Sequence, residues 1–328
     1  MYAVIPDIHG DYYRMAFTLQ ELGFRKERHD KGKYLWTHPQ DTKAVFLGDF
    51  IDGGKSNARV IEEVRLMEKA GSALAIMGNH ELNALLFHTP EGDGHRDQGS
   101  WLRDRTADNR RQHQTFLDEY DANLDGDFGE PKDRRLKDVL DWFQTLPLFL
   151  DLGRFRVVHA QWDQTAIDEI TRIRGSKLSD EVRGAYLKKG DLPAVAKRSP
   201  GLGLAVDRVL KGMEIPLPKG TSFIDFHQKS RESMRVKWWA NTQPTYRGMS
   251  LSVPDPHSLP ETRIDDLQGI TQYLPPNAPV FVGHYKMHGT PSVDLSEAAA
   301  CLDYPKTACA YLWESGDAGF REGLLSVF

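Results

Sequence analysis

Ala44-Val45-Phe46-Leu47-Gly48-Asp49-Phe50-Ile51-Asp52-Gly53-Gly54 reads as a buried strand that runs straight into a turn carrying two carboxylates. Four apolar residues in a row are too few for a helix and suit a strand covered on both faces. Upstream, Tyr2-Ala3-Val4-Ile5 is a second such run, followed by Pro6-Asp7-Ile8-His9-Gly10. Downstream, residues 73–77 form a third, followed by Gly78-Asn79-His80-Glu81. Two helical stripes lie between them. Met15, Leu19 and Leu22 recur at i, i+4 and i+7, with Asp11 placed as the N-cap, and Val60, Val64 and Met67 repeat the pattern until Gly71 stops it. This β-α-β-α-β alternation predicts an α/β fold built on a parallel sheet with helices packed against it.

The same grammar continues further on. Residues 155–158 form an apolar run ending at His159, and residues 280–282 form another followed by Gly283-His284. In open parallel sheets ligands bind beyond the carboxyl ends of the strands, so five strand ends aim carboxylate, amide and imidazole groups at one crevice. Carboxylate oxygens and imidazole nitrogens without thiolates suit Mn, Fe(II) or Zn. Glycines beside them (Gly10, Gly48, Gly78, Gly283) let the backbone turn sharply and come close to an ion.

Composition narrows the remaining classes. Among 328 residues, 42 basic and 47 acidic side chains give a net charge of −5, which speaks against general nucleic-acid binding. Cys301 and Cys309 are the only cysteines, too few for a disulfide framework or a thiolate zinc site. No run approaches the roughly 20 apolar residues of a membrane span. Met1 leads directly into an apolar strand, and a cytoplasmic protein is expected. Two stretches differ in texture, 89–135 and 163–235, and are expected as insertions, mainly helical, that could form a cap or lid. In or beside the first, His88, His95 and His113 are expected at the surface. Arg103, Arg105, Arg110 and Arg111, interleaved with Asp104 and Asp108, are expected on a solvated salt-bridged face. Trp238-Trp239 reads as core or pocket wall, Glu81 as a helix cap, and Asp303 and Tyr304 as packing residues.

The set Asp7-x-His9-Gly10, Gly48-Asp49-x-x-Asp52-x-Gly54, Gly78-Asn79-His80-Glu81, His159 and Gly283-His284 resembles the calcineurin-like metallophosphoesterases. Within them it resembles the phosphoprotein phosphatase branch, and its bacterial diadenosine tetraphosphatase-like and RNA-repair phosphatase-like members in particular. The resemblance covers about 1–88, 136–163 and 236–312 and does not extend to the insertions. It implies one catalytic domain over 1–328, a layered α/β/β/α sandwich, and two divalent ions, with Mn²⁺ first and Fe, Zn, Ni or Co as other occupants. Asp7, His9 and Asp49 would hold one ion. Asp49, Asn79, His159 and His284 would hold the other, with Asp49 bridging. His80 would be the general acid, oriented by Asp52, and Arg247 and Asn79 would hold the substrate phosphate. One position departs: many relatives carry a phosphate-binding arginine where this chain has Gly53, and Lys55 and Arg14 are the nearest cations in sequence.

The implied reaction is hydrolysis of phosphomonoesters, on a phosphoprotein or a small phosphoester, by in-line attack of a metal-bridging hydroxide. A dinucleoside polyphosphate hydrolase, of the diadenosine tetraphosphate kind, uses the same ions and is the alternative. A non-catalytic metal-containing binding module is the alternative of another class, although it has no chemical need for the His80–Asp52 pair. The sequence sets no oligomeric state.

Overall fold

A computed structural model describes residues 1–29, 32–92, 100–120, 134–179, 181–225, 228–264, 273, 277–322 and 325–328. His95 and the charged run around it lie outside the described residues. The first part comprises β1 (Tyr2–Ile5), α1 (Tyr12–Glu21), the hairpin β2 (Arg25–Arg28) and β3 (Tyr34–Thr37), β4 (Lys43–Phe46), α2 (Asn57–Ala70), β5 (Ala73–Ala75) and α3 (Asn79–Phe87). Then come α4 (Ala107–Glu119), α5 (Arg134–Phe143), β6 (Phe149–Asp151), β7 (Arg156–Val158), α6 (Gln164–Arg174), α7 (Leu192–Ala196) and α8 (Leu202–Lys211). The chain closes with β8 (Glu214–Pro216), β9 (Phe223–Ile224), β10 (Ser230–Arg231), β11 (Ser233–Val236), β12 (Ser250–Leu251), β13 (Val280–Val282), β14 (Ala299–Cys301), β15 (Cys309–Trp313) and β16 (Leu325–Val327).

Side-chain alternation sets the layers. Strands β1, β4 and β5 pair in parallel, and β15 joins the edge of β1 antiparallel, giving the order β16-β15-β1-β4-β5. A second sheet has the order β14-β13-β7-β6, parallel except at β6. Val4 and Val45 of the first sheet share an apolar cluster with Val157 and Phe281 of the second, so the sheets face each other. Their neighbours in sequence, Ala3, Ile5, Ala44 and Phe46, point the opposite way and join the helical residues Met15, Leu19, Val64 and Met67. On the second sheet Val280 and Val282 likewise belong with the helix residues Ile170 and Val209. The result is the α/β/β/α sandwich. Phe281 lies fully buried between the sheets, 4.9 Å from the Tyr311 ring and 5.7 Å from the Phe155 ring. Truncating such a residue costs about 3–5 kcal/mol.

Caps follow the sequence signals. The Asp11 side chain accepts from the Arg14 N–H, and Gly71 ends α2 in the left-handed conformation. In segment 163–235 the helices α6, α7 and α8 come first, the last ending at Lys211. From Glu214 the segment becomes β-structure, with β8, β11 and β12 forming a small sheet. Ile215 and Leu217 alternate with polar or proline positions, as do Met234 and Val236, and that period of two feeds a separate small core. Trp238 and Trp239 are fully buried, and the Trp238 indole donates to the Ala160 carbonyl. Among the described residues no helix is long and apolar enough to cross a membrane.

Candidate metal centre

Five strand ends converge as their sequences suggest. Asp7 and His9 follow β1, Asp49 and Asp52 follow β4, Asn79 and His80 open α3 just after β5, His159 follows β7, and His284 follows β13. The turns after β1 and β4 are knotted together, with the His9 N–H donating to the Asp49 carbonyl at 2.8 Å and the Gly10 N–H to the Phe50 carbonyl at 2.8 Å. His9, Asp49, Asp52 and His284 all have left-handed backbones, with φ of 50°, 51°, 69° and 69°. Non-glycine residues adopt this only where the surroundings impose it, and such strain gathers at functional sites. Gly283 is required by close approach, because a Cβ there would collide with Asp7 Oδ1.

Asp49 sits at the centre. His159 Nε2 is 3.4 Å from its Oδ1, and His9 Nε2 and His80 Nε2 are each 3.8 Å from its Oδ2. Two candidate ion-holding groups result, His9 with Asp49 and His80, and Asp7 with Asp49 and His159. Asn79 joins the second side, since its Oδ1 lies 3.0 Å from His159 Nε2 and 2.7 Å from His284 Nδ1.

The donor chemistry fits divalent cations. A carbonyl only accepts, so His159 donates its Nδ1–H to Leu47 and His9 donates its Nδ1–H to Ile51. Each ring thereby turns its Nε2 toward the cluster, as metal-ligating histidines do. Asp7 Oδ1, His9 Nε2 and His284 Nε2 are buried without a hydrogen-bond partner. Such orphaned atoms are costly in a native interior unless something binds them. Burial, followed by the charges of Asp303 and Asp49, pushes the Asp7 carboxyl well above the usual range. Burial lowers the His159 imidazole, but the charge and hydrogen bond of Asp49, with the Asp7 charge and the Leu47 carbonyl, together outweigh it and raise the group to about 10. A bound cation relieves both by taking the place of protons.

A second constellation lies on the other side of His80. Asp52 Oδ2 accepts from His80 Nδ1 at 2.6 Å, and its Oδ1 accepts from His113 Nδ1 at 2.7 Å. Burial raises the Asp52 carboxyl, but the hydrogen bonds from His113 and His80 bring it down to about 2. For His80, burial lowers the imidazole, while Asp49 and Asp52 overcome that and raise it to about 9. His113 belongs to α4, where surface residues were expected. It is instead fully buried, stacked on Phe116 with ring centres 4.7 Å apart, and His88 is buried beside it. Helix α4 is further pinned by Glu119, whose carboxylate accepts from the N–H groups of Asn57 and Ala58 at the start of α2. Asn57 in turn accepts from the Asp52 N–H. Helix α4 is therefore tied to the site and to the start of α2 by these bonds.

Other expectations fare differently. Glu81 does more than cap α3: it accepts from the N–H groups of Gly78, Asp49 and Phe50, bracing the Asp49 turn. Asp303, expected as a packing residue, is buried close enough to act on both Asp7 and His9. Arg247 bonds to Glu261 and to the carbonyls of Leu259 and His257, and no described hydrogen bond or ion pair brings it to the cluster. Arg14 likewise ties down the carbonyls of Tyr304, Pro305 and Thr307. The charge of Arg235 on β11 acts on the second group. Burial lowers the His284 imidazole, and the Arg235 charge adds to that effect. Of the arginine run, Arg111 pairs with Asp108 on the surface as expected, whereas Arg105 lies over the Trp101 ring and Arg103 turns toward Gln112.

The family model for calcineurin-like phosphoesterases matches residues 2–284. The chain belongs to the calcineurin-like phosphoesterase family. Among curated proteins, the asymmetrical bis(5'-nucleosyl)-tetraphosphatase PrpE of Anoxybacillus flavithermus is 29% identical over 85 residues, covering 24% of this chain and 31% of that protein. The Bacillus subtilis (strain 168) protein of the same name is 32% identical over 83 residues, covering 24% and 30%. The chain thus spans about 30% of the length of the curated relatives it matches. Similar solved structures include a putative diadenosine tetraphosphatase (TM-score 0.43, 14% identity, covering 100% of this chain and 92% of that one). A Saccharomyces cerevisiae serine/threonine phosphatase with similarity to human PP5 gives 0.45, 13%, 100% and 78%. A cold-active protein-tyrosine phosphatase of a Shewanella species gives 0.39, 14%, 98% and 80%.

Proposed function

We propose that this chain is a metal-dependent phosphoesterase that hydrolyses phosphate esters at the Asp49 cluster, with His80 as general acid. The observation that carries this reading is the conjunction of two features around one carboxylate. Buried, partnerless ligand atoms face Asp49 on one side, and on the other a His80–Asp52 pair presents Nε2 at 3.8 Å. Two divalent ions, with Mn²⁺ as the first choice, supply a nucleophile at neutral pH and neutralise the phosphoryl oxygens when bound.

The chain's own groups do the rest. Asp7, His9 and Asp49 would hold one ion, and Asp49, Asn79, His159 and His284 the other. Asp52 takes the Nδ1–H of His80 and so leaves Nε2 to carry the proton that passes to the departing oxygen. A positioned acid of this kind contributes typically 10²–10⁴-fold. In this reading Asn79 also offers its amide to a phosphoryl oxygen. The substrates in this reading are phosphomonoesters, on a protein or a small molecule. Cleavage of dinucleoside polyphosphates is the second reading, favoured by the names of the curated relatives that match about a quarter of the chain.

Protein stripped by chelator and reloaded with Mn²⁺ should hydrolyse p-nitrophenyl phosphate, phosphopeptides or diadenosine tetraphosphate, and lose that activity again on chelation. A reloaded, folded protein inert toward all three would refute the reading.

A further inference from the structure

Arg103 is the cation that the active-site turn itself does not provide. The resemblance places a phosphate-binding arginine at position 53, and this chain has glycine there. In the structure an arginine reaches the neighbourhood from a different element. The Arg103 Nη2 group donates to Gln112 Oε1 at 2.6 Å and to Asn109 Oδ1 at 3.0 Å. Gln112 Nε2 lies 3.5 Å from His80 Nε2. One side-chain amide therefore separates the guanidinium from the nitrogen that gives up the catalytic proton.

The arrangement is pre-set. Gln112 precedes His113 in α4, and the His113 bond to Asp52 fixes that turn of the helix to the acid. Thr106 caps α4 by accepting from the Asn109 N–H, and the Arg103 N–H donates to the Leu86 carbonyl at the end of α3. Arg105, two residues on, is held over the Trp101 ring at 3.3 Å. Loop and helix together hold the guanidinium beside the acid without help from a ligand, and such pre-organisation is what gives a binding group its strength.

The charge of Arg103 is not balanced by a bonded acid. Both hydrogen-bond partners are neutral amides, no carboxylate lies within ion-pairing distance among the described residues, and Nη1 is buried without a partner. Asp52 is the carboxylate that acts on it from a distance, and both of its oxygens already accept from histidines. An arginine kept partly dry with an unanswered charge is a binding group for an anion.

Its side of the site says which anion. In the hydrolytic reading the transferred phosphoryl group would lie against Asp49 and the ligand cluster. The leaving group would lie against His80 Nε2, with Gln112 and then Arg103 next to that nitrogen. We propose that Arg103 and Gln112 form a leaving-group subsite for an anionic, phosphorylated leaving group, so that the preferred substrates are phosphoanhydrides such as dinucleoside polyphosphates. This inference rests on the hydrolytic chemistry proposed above and, of its two substrate readings, favours the second. In the reaction, the oxygen of water bonds to phosphorus and the bond from phosphorus to the bridging oxygen breaks. The electron pair stays on the departing phosphate, which takes its proton from His80. Of the two protons of the water, one stays on the new phosphate or ionises to solvent and the other restores His80 by way of solvent. A phosphate leaving group needs its charge met more than it needs a proton, and Arg103 meets that charge. A serine or phenol leaving group has no such charge to meet.

The test uses Mn²⁺-loaded full-length protein, with diadenosine tetraphosphate and p-nitrophenyl phosphate as the two substrates. The readout is the ratio of their kcat/KM values. Arg103→Ala should lower that ratio at least tenfold, mainly through KM for the tetraphosphate, and Arg103→Lys should recover part of it. Affinity for the β,γ-imido analogue of ATP, measured by calorimetry, should weaken in parallel. Gln112→Ala, at an exposed position that tolerates truncation, should lower the ratio in the same direction and carries the test if Arg103→Ala does not fold. An unchanged ratio in both variants would overturn the subsite, whether both activities fall together or neither falls. Wild-type protein that cleaves p-nitrophenyl phosphate but not the tetraphosphate would overturn it too, while leaving the hydrolytic reading intact. Wild-type protein inert to both substrates would take down the reading beneath it.

Discussion

The two flanks of His80 are built in different ways. On the metal flank each ligand sits at the end of a buried strand, so the two sheets position it and the chain between position 7 and position 284 contributes at intervals. On the acid flank, His113, Gln112 and Glu119 all come from the single helix α4, and Arg103 from the loop before it. The sheets belong to the core and cannot shift without unfolding it. Helix α4 rests on the core through one stripe and a handful of polar contacts. Ion uptake should therefore be insensitive to changes in α4, whereas proton transfer should depend on them.

That contrast can be attacked from its strongest point downward. Asp49→Asn removes the carboxylate shared by both ligand groups, so activity should fall to the level of chelated protein and ion uptake should drop with it, read by elemental analysis and a phosphatase assay. His80→Ala should lower turnover by about 10²–10⁴-fold while ion content stays that of the wild type; loss of the ions would show that the two flanks are not separable. His113→Ala should lower kcat by about 10–100-fold, the usual range for a group orienting an active-site partner, again with ions retained. Wild-type turnover in that variant would mean that Asp52 needs only His80 to stay in place.

Much of the metal flank is legible in the sequence because each strand end repeats one local grammar. An apolar run buries itself, a glycine or a left-handed turn follows, and a ligand comes next, as in Leu47-Gly48-Asp49 or Val282-Gly283-His284. Such local rules survive without knowing what packs against what. Arg247 is named by resemblance alone, and in the structure its guanidinium bonds to Glu261 and two carbonyls. The acid flank is hidden for a physical reason. The helix Ala107–Glu119 is mostly polar, and its buried face opens with a histidine. His113, Phe116, Leu117 and Tyr120 do stand at i, i+3, i+4 and i+7, and all four are buried. The stripe was there to be read, but an imidazole at its head resembles a surface residue until its carboxylate partner is seen. For Arg103 no local signal exists, because its environment is made by Gln112 and Asn109 folding back over it.

Smaller effects sharpen the same contrast. Glu119→Ala uncaps the start of α2 and should destabilise the fold by about 1–2 kcal/mol, seen as a lower melting temperature, with a milder loss of turnover than His113→Ala. Acid should reveal Asp52. Its carboxyl lies below its ordinary value when folded, at about 2, so its stabilising contribution is fully present above the unfolded value near 4 and is lost as pH falls toward 2. Metal-free Asp52→Asn protein should therefore show a shallower loss of stability between about pH 4 and pH 2 than the metal-free wild type, followed by urea unfolding.

Counting ions decides most directly whether Asp49 is the hub of the site. Protein stripped with chelator, dialysed and offered excess Mn²⁺ or Zn²⁺ should retain two ions per chain by elemental analysis, and the Asp49→Asn variant should retain fewer. Folded wild-type protein that holds none, whichever ion is offered, would contradict the account.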